Sequence, residues 1–301
     1  MESHGSKKRW LFVFIVSIAV LVALVIFRSR RPGEEAGAGR VLRIVSLAPN
    51  VTEIIYKLGL QEQLVGATDY CDYPPEAKQI ERVAGFGDPN IEKLFSLKPD
   101  LILGTELEEK DLQQVMEGEG ARVLLTPIDS FESLFAAFHK IAEAVHRPDA
   151  AERVVAHMKK ELRETASRFK DVPEGQRPRL YIEVWHDPVR TAGSKSFLNE
   201  VVTRAGGVNV AAELDSAHPA VNPEKVIEWD PDVILICYMT PGVNLAEQVA
   251  GRIGWKKIKA VSNGRVISDI NPDMVLRPGP RLAQAVKEIS ERLYPASGIP
   301  K

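Results

Sequence analysis

NIEKLFSLKPDLIL at residues 90–103 recurs as NPEKVIEWDPDVIL at residues 222–235, and this repeat indicates the fold class. Seven of the fourteen aligned positions are identical, whereas chance at ordinary residue frequencies gives about one. Asn90 and Asn222 stand where a helix N-cap is expected, and a proline ends each helix ahead of a short apolar strand. The repeat therefore predicts two matched lobes, each containing a helix, a turn and a buried strand.

Alternating strand and helix patterns surround both copies of the repeat. Strand patterns occur at 41–47, 122–125 and 179–185, a helix pattern at 131–145, and a predicted loop at 186–196. Such alternation is typical of α/β lobes built on parallel sheets. We therefore predict an α/β protein with two Rossmann-like lobes, lobe one at residues 41–147 and lobe two at residues 171–296.

The openings of the two lobes also align, but at a different offset. Glu53 aligns with Glu200 and Gly59 with Gly206 at an offset of 147, against 132 for the repeat. Lobe one is therefore fifteen residues longer over this stretch, which includes the loop at 70–77, rich in proline and tyrosine. We expect this insertion to serve ligand recognition.

A long helix is predicted between the lobes. Residues 148–170 contain no glycine and no proline after the first position, and they place Val154, Met158 and Leu162 on one helical face. Such a helix reaches about 33 Å, the scale of a small domain. We expect a stiff connection that disfavours wide hinge closure.

The N-terminal region differs from the rest of the chain. Residues 10–27 form an apolar run between basic residues, nearly long enough to span a bilayer as a helix. The run is bulky to its end and is followed by arginines, which favours an uncleaved transmembrane anchor over a cleaved signal. Residues 1–9 then form a cytoplasmic tail, and residues 28–40 form a flexible linker. No cysteine lies near the run, so a lipoprotein-type attachment is not expected.

Composition and motifs narrow the class of function. The net charge of −2 gives no basic surface for nucleic acid. The two cysteines, Cys71 and Cys237, have no metal-ligand spacing and are expected to be free thiols. The histidines form no HExxH motif, and there is no GxxxxGK phosphate loop and no GxSxG elbow. These patterns predict no resident metal or cofactor and no enzyme.

Several segments, taken in order, carry a resemblance to a known family. They are SLAPNVTEIIYKLG at 46–59, DYCDYPPEA at 69–77, FGDPNIEKLFSLKPDLIL at 86–103, TAGSKSFLNEVVTRAGGVNV at 191–210, NPEKVIEWDPDVIL at 222–235 and RPGPRLAQAVKEI at 277–289. Over about residues 41–296, the chain resembles the substrate-binding proteins of cobalamin (vitamin B12) ABC importers. These belong to a group that also binds ferric siderophores, haem and transition metals. The resemblance implies a class III periplasmic-binding-protein fold, with two lobes, a backbone helix and a ligand cleft between the lobes.

The resemblance also implies a function, a location and partners. The body is expected outside the cytoplasm, in the periplasm or at the cell surface, held to the cell membrane by the single span at 10–27. There it would deliver a corrinoid, cobalamin or cobinamide, to an ABC permease and its ATPase. The alternatives are a binder of haem or a ferric siderophore for iron uptake, or a ligand-sensing tethered protein.

Candidate ligand residues follow from the rule that parallel sheets bind ligands beyond the carboxyl ends of their strands. In lobe one they are Ala48, Pro49, Asn50, Tyr70, Tyr73 and Phe86. In lobe two they are Trp185, His186, Arg190, Ser194, His218, Asp273 and Arg277. Aromatic residues suit the flat apolar face of a corrin.

Three positions leave the identity of the bound ligand open. Thr105, Arg190 and His218 stand where cobalamin binders of this type often have large aromatics. His218 would either coordinate cobalt or haem iron, or only meet solvent and backbone. Arg190 would either pair with carboxylates of haem or a siderophore, or lie at a loop edge.

Glu92 and Glu224 occupy equivalent places in the repeat. An acidic residue in a first helical turn is stabilised by the helix dipole without any further role. The resemblance implies more, namely that each lobe offers one carboxylate to an arginine pocket on the permease.

Overall fold

The computed structural model describes residues 41–85, 89–105, 110–240 and 242–295. The predicted anchor at 10–27 and the candidate Phe86 lie outside these residues. Within them, no helix is long and apolar enough to cross a membrane. Both lobes belong to one compact unit that begins at Leu42.

Lobe one is a parallel five-stranded sheet flanked by helices, as predicted. Its strands are β1 (Ile44–Ser46), β2 (Leu64–Thr68), β3 (Arg82–Ala84), β4 (Leu101–Gly104) and β5 (Arg122–Leu125), in the order β3-β2-β1-β4-β5. Its helices are α1 (Pro49–Lys57), α2 (Ile91–Leu97), α3 (Lys110–Gly118) and α4 (Phe131–Ala144). The middle strands β1 and β4 are buried throughout, which is typical of a sheet covered on both faces.

Lobe two follows the connecting helix α5 (Pro148–Ser167). Its strands are β6 (Arg179–His186), β7 (Val189–Thr191), β8 (Val208–Asn209), β9 (Val233–Ile236) and β10 (Val266–Ile267). The order is β10-β9-β6-β7, with β8 paired to the start of β6. Its helices are α6 (Phe197–Arg204), α7 (Pro223–Trp229), α8 (Leu245–Ala250), α9 (Lys259–Ser262), α10 (Pro272–Leu276) and α11 (Leu282–Leu293).

The sequence repeat folds into the same unit twice. Helices α2 and α7 have seven residues each, are capped by the side chains of Asn90 and Asn222, and end at residues with left-handed backbone. The Asp of each PD pair then docks on the start of the neighbouring strand. Asp100 exchanges backbone and side-chain hydrogen bonds with Arg43, and Asp232 does the same with Arg179, all at 2.8–2.9 Å. The prediction of two matched units is confirmed.

One predicted loop contains a strand. Within residues 186–196, β7 pairs antiparallel with the end of β6 across the two-residue turn Asp187-Pro188. Val189 and Thr191 are buried while Arg190 is exposed, which is the alternation of an edge strand. The run of three residues was too short to distinguish from a loop by pattern alone.

The largest apolar cluster extends through both lobes, and each lobe has a smaller cluster of its own. One continuous cluster contains Ile54 and Phe138 from lobe one, Met158 from α5, and Leu198 and Val286 from lobe two. The C-terminal helix α11 packs along α5 and completes this cluster. The lobes therefore share buried apolar contacts along α5. The stiffness of this connection stays a prediction.

Candidate functional site

The carboxyl ends of the lobe-one strands face contacts from lobe two. Asn50, in the first turn of α1 just after β1, donates from Nδ2 to the carbonyl oxygen of Pro278 at 3.2 Å. Asp72, in the loop after β2, accepts from Arg277 at 2.6 Å. The edge of the sheet where α/β proteins bind ligands is therefore the edge turned toward the other lobe.

Lobe two presents an aromatic surface at the equivalent edge. Strand β6 continues past the end of β9, and there Trp185 and His186 pair with β7 only. Tyr238 lies beside them, just after β9. The ring centroids of Trp185 and His186 are 4.9 Å apart, and that of Tyr238 is 5.3 Å from His186 and 6.1 Å from Trp185. We call these three residues the aromatic wall. Trp185 remains 46% exposed, so the wall offers an open apolar face.

A buried carboxylate holds the aromatic wall from behind. Glu183 is fully buried, receives two hydrogen bonds from Arg252 at 2.6 and 2.8 Å, and accepts the Tyr238 hydroxyl at 2.6 Å. Burial raises the pKa of Tyr238, and its hydrogen bond to Glu183 raises it further. A phenol held neutral in a saturated network keeps its ring in one orientation.

Arg190 and His218 are brought together at the edge of lobe two. Arg190 donates from Nη1 to the carbonyl oxygen of His218 at 2.9 Å, and β7 forms an isolated bridge to Ala220. Burial lowers the pKa of His218, and the Arg190 charge lowers it further. The His218 ring is therefore neutral at neutral pH, with a lone pair free to bind a metal, beside a cation suited to carboxylates.

The lobe-one candidates divide by exposure. Tyr70 is 49% exposed and follows β2. Pro49 begins α1 after β1, the parallel neighbour of β2, so both residues lie at the carboxyl edge of the sheet. Asn50 is buried, and its amide is used both within α1 and toward Pro278. Thr105, directly after β4, is half-buried. Tyr70 is therefore a large exposed side chain of lobe one, and Tyr73, 41% exposed, is another in the same loop.

Asp273 and Arg277 form an ion-pair cluster with Asp72 between the lobes. Arg277 contacts Asp72 at 2.6 Å and Asp273 at 3.1 Å. The cluster joins the tyrosine-rich insertion of lobe one to the segment that leads into α11. The geometry thus gives these two candidates a role in fixing the lobes.

The ion pair between Asp72 and Arg277 makes a pH-dependent contribution to the free energy of unfolding. Burial raises the pKa of Asp72, but the hydrogen bond and charge of Arg277 outweigh it and hold the pKa below its ordinary 3.8. A carboxyl with a depressed folded-state pKa stabilises the fold above its unfolded-state pKa, and the contribution is lost as pH falls through the folded-state pKa. Because Asp72 is 41% exposed, we expect Asp72→Asn to cost about 0.5 kcal/mol at neutral pH.

Urea unfolding of the parent and of Asp72→Asn at several pH values measures the difference in their free energies of unfolding. It should vanish at the acid end, where Asp72 is protonated in the folded and the unfolded chain. A difference that persists there would show that Asp72 acts through packing instead of charge.

Tyr73 lies apart from the other candidates. Its ring is covered by the guanidinium of Arg281 at 3.8 Å from the centroid, and it lines a groove that also contains Lys57 and residues of α5. Lys57 ends α1, about 12 Å along the helix from Pro49. None of the other ligand candidates lines this groove, so the structure separates Tyr73 from Tyr70.

The Ser194 hydroxyl forms a hydrogen bond within lobe two. Its hydroxyl donates to the carbonyl oxygen of Leu214 at 3.1 Å, and Lys195 pairs with Asp215 at 2.8 Å. These contacts fasten the start of α6 to the loop that leads to His218. Ser194 thus positions that loop.

Sequence reasoning missed four residues of this region: Glu183, Tyr238, Met239 and Arg252. Tyr238 and Met239 follow the repeated strand β9 directly, and that position was the available signal. Glu183 and Arg252 are 69 positions apart, and no local pattern reveals such a pair.

Glu92 and Glu224 occupy equivalent exposed positions in α2 and α7. Among the described residues, neither carboxylate forms an ion pair or accepts a hydrogen bond. The neighbouring lysines Lys93 and Lys225 pair with other acids. Both carboxylates are therefore available to a partner.

Two further predictions concern metal sites and the cysteines. The described part of the chain contains no group of three or more His, Cys, Asp or Glu side chains that could hold a metal ion. Cys71 and Cys237 are both buried and free. Burial raises the pKa of the Cys237 thiol to about 12, so it stays protonated.

Comparisons with known proteins agree with this architecture. The profile described as periplasmic binding protein matches residues 44–271. YvrC of Bacillus subtilis (strain 168), named as an uncharacterized ABC transporter substrate-binding lipoprotein, is 36% identical over 258 residues, covering 84% of this chain and 80% of its own.

Two solved structures are similar over most of their length. The periplasmic vitamin B12 binding protein BtuF of Vibrio cholerae has 28% identity and a TM-score of 0.70, with 83% of this chain and 96% of that chain covered. The periplasmic haem-binding protein RhuT from Roseiflexus sp. RS-1, in its apo form, has 25% identity and a TM-score of 0.74, with 84% and 98% covered.

Proposed function

Because this chain belongs to the periplasmic binding protein family, we propose that it captures a corrinoid between its lobes and delivers it to an ABC importer. The observation that carries the choice of cargo is the aromatic wall at the carboxyl edge of lobe two. A corrin is a broad apolar ring edged by amides, and it needs flat apolar surfaces with a few polar groups. Trp185 and Tyr70 supply such surfaces, while Met239 adds an exposed flexible side chain beside the wall.

Two polar features fit the edge of such a ligand. Arg190 offers donors to amide or carboxylate oxygens, and it lies beside His218. The Nδ1 atom of His186 is buried without a hydrogen-bond partner among the described residues. An unpaired buried nitrogen costs free energy, and a rotation of the His186 ring that brought this atom to a ligand would recover it.

Haem or a ferric siderophore is the alternative cargo. The observation that favours it is the pairing of a cation, Arg190, with the neutral imidazole of His218. Arginine binds carboxylates bidentately, and neutral imidazole coordinates iron. The relatives with solved structures include proteins named for vitamin B12 and for haem.

A titration tests both cargoes. The full chain in a neutral detergent is titrated with cobinamide, cobalamin, haem and a ferric siderophore while tryptophan fluorescence is followed. We expect saturable quenching by a corrinoid, and Trp185→Ala should weaken binding about tenfold, the loss of one aromatic contact. The matched control is Ile253→Ala, which also truncates an exposed apolar side chain of lobe two. Saturation by haem alone would favour the alternative, and silence for all four ligands would reject both.

Docking on the permease is proposed through Glu92 and Glu224. Each carboxylate is exposed in a first helical turn, and the repeat sets the two in equivalent places of the two lobes. Bidentate pairing with arginines would fix the orientation of the protein on the permease. One glutamate could not do so alone.

We expect the Glu92→Ala/Glu224→Ala double variant to bind ligand normally but to lose uptake. The control is Glu132→Ala/Glu247→Ala, which removes two exposed first-turn glutamates of other helices. Both double variants lose similar helix-dipole stabilisation, about 0.3–1 kcal/mol for each glutamate. Transport of radiolabelled ligand into cells measures the difference. Normal uptake by the Glu92/Glu224 variant would refute the docking proposal.

Residues 10–27 are proposed as the membrane anchor of this protein. A lipoprotein is attached through a cysteine close behind its N-terminal apolar run, and the cysteines of this sequence stand far from that run, at positions 71 and 237. The apolar run would then attach this chain to the membrane, as the lipid attaches a lipoprotein. The body would lie outside the cytoplasm, where the cargo is captured.

Cell fractionation tests the anchor. Replacing four leucine, isoleucine or valine residues within 10–27 by serine should move the protein from the membrane to the soluble fraction. A membrane-bound variant would place the attachment elsewhere.

A further inference from the structure

A groove of about 350 Å³ lies on the body, and Tyr73 is the one described ligand candidate that lines it. Lobe one contributes Lys57 and Tyr73, the connecting helix α5 contributes Arg153 and His157, and the segment before α11 contributes Arg281. The groove thus touches all three parts of the body. The comparisons and the proposed ligand site assign it no role.

Positive charge in the groove exceeds negative charge. Among the described residues, Lys57 and Arg153 make no ion pair and no side-chain hydrogen bond. Glu161 is the acid of the lining, and it lies 3.8 Å from His157 within the same helix. With Arg281 paired to Glu53, the positive charges of Lys57 and Arg153 face the single negative charge of Glu161. One positive charge is therefore uncompensated, and a bound anion would neutralise it.

Arg281 brings a fixed donor to the floor of the groove. Its Nε and Nη2 atoms bind Glu53, and its guanidinium stacks on Tyr73. Its Nη1 atom donates to no oxygen of the described residues, while the side chain lines the cavity. A guanidinium held in place from two sides is preorganised for an oxyanion.

We propose that this groove binds a phosphate-bearing anion, held by Lys57, Arg153 and the free edge of Arg281. Phosphate matches the site because its oxygens accept several charge-assisted hydrogen bonds at once. A single phosphate bridging lobe one, α5 and α11 would also brace the three parts against each other. The phosphate belongs either to a free anion or to a lipid headgroup near the membrane.

Calorimetric titration of the full chain in neutral detergent tests the proposal with two probes. These are inorganic phosphate and a soluble short-chain phosphatidylglycerol, each in low-salt buffer. Saturation by inorganic phosphate assigns the site to a free anion, and saturation by the lipid alone assigns it to a headgroup. In either case Lys57→Ala/Arg153→Ala should weaken binding at least about tenfold, the loss of one charge-assisted contact.

The control variant removes the same charge elsewhere. Arg163 and Lys170 are exposed and do not line the groove, so Arg163→Ala/Lys170→Ala should bind as the parent does. Circular dichroism checks that both variants are folded. Absence of saturable binding by either probe, or equal loss in the two double variants, would overturn the proposal.

Discussion

Replacing Glu53 with alanine is expected to lower the free energy of unfolding by about 3–5 kcal/mol. Glu53 in α1 and Arg281 before α11 form a two-pronged ion pair at 2.6 and 2.9 Å. Their side chains are only 4% and 9% exposed. Burial raises the pKa of Glu53, while the charge of Arg281 opposes that rise. Alanine would leave Arg281 buried without its counter-ion, and that uncompensated charge causes the loss.

The aligned openings of the two lobes supply a matched control for Glu53. Glu200 occupies the equivalent place in lobe two, pairs with Arg204 at 2.7 Å, and accepts from the backbone nitrogen of Phe131 at 2.9 Å. Because Glu200 is 32% exposed, Glu200→Ala should cost only about 1 kcal/mol. Urea unfolding of the two variants gives the comparison directly.

A double variant separates charge from packing at Glu53. Glu53→Met/Arg281→Met removes both charges and keeps similar volume, and such replacements are often close to neutral. We expect it to be clearly more stable than Glu53→Ala. Equal losses in the two variants, or a Glu53→Ala protein as stable as the parent, would contradict the assignment.

Replacing Gly193 with alanine is expected to cost about 3 kcal/mol and to weaken ligand binding. A Cβ atom at Gly193 would collide with the carbonyl oxygens of Ser216 and Leu214, which are backbone atoms and cannot turn aside. The nitrogen of Gly193 already donates to Ala217 at 3.0 Å. The added methyl group must therefore push the 214–217 loop away, and His218 with it.

Gly118 is the matched control for Gly193. It ends α3 and has no atom within 4 Å of a built Cβ, so Gly118→Ala should be neutral or stabilising by about 0.5 kcal/mol. Thermal unfolding gives the stability difference, and the fluorescence titration gives the binding difference. If Gly193→Ala matched the control in both, the close backbone approach would be irrelevant to the site.

The sequence predicted the features that depend on short-range chemistry. The asparagine caps of α2 and α7 follow from neighbouring residues, and the prolines limit how far each helix can extend. Gly59 and Gly206, aligned by the second offset, both adopt positive φ at the ends of α1 and α6. Local rules are sufficient for such positions because the deciding atoms are a few residues away.

The missing parts depend on residues that are distant in the chain. Glu53 and Arg281 are 228 positions apart, and the alignment with Glu200 gave no hint of the partner. Tyr73 was predicted to bind ligand together with Tyr70, but the path of the loop after β2 places its ring against Arg281. Which side chains meet across two lobes is set by how the lobes pack, and local periodicity carries no information about that.

The place of α11 in the core has a consequence for export of the chain. Leu282, Val286 and Ile289 of this last helix are fully buried in the cluster shared by both lobes. A chain still emerging from the ribosome or the membrane lacks this helix, so the shared core stays incomplete until residues 282–293 are available. We expect the body to remain unfolded during passage and to fold only on arrival. A chain cut before Leu282 should accordingly be digested rapidly by protease, whatever the state of its first lobe.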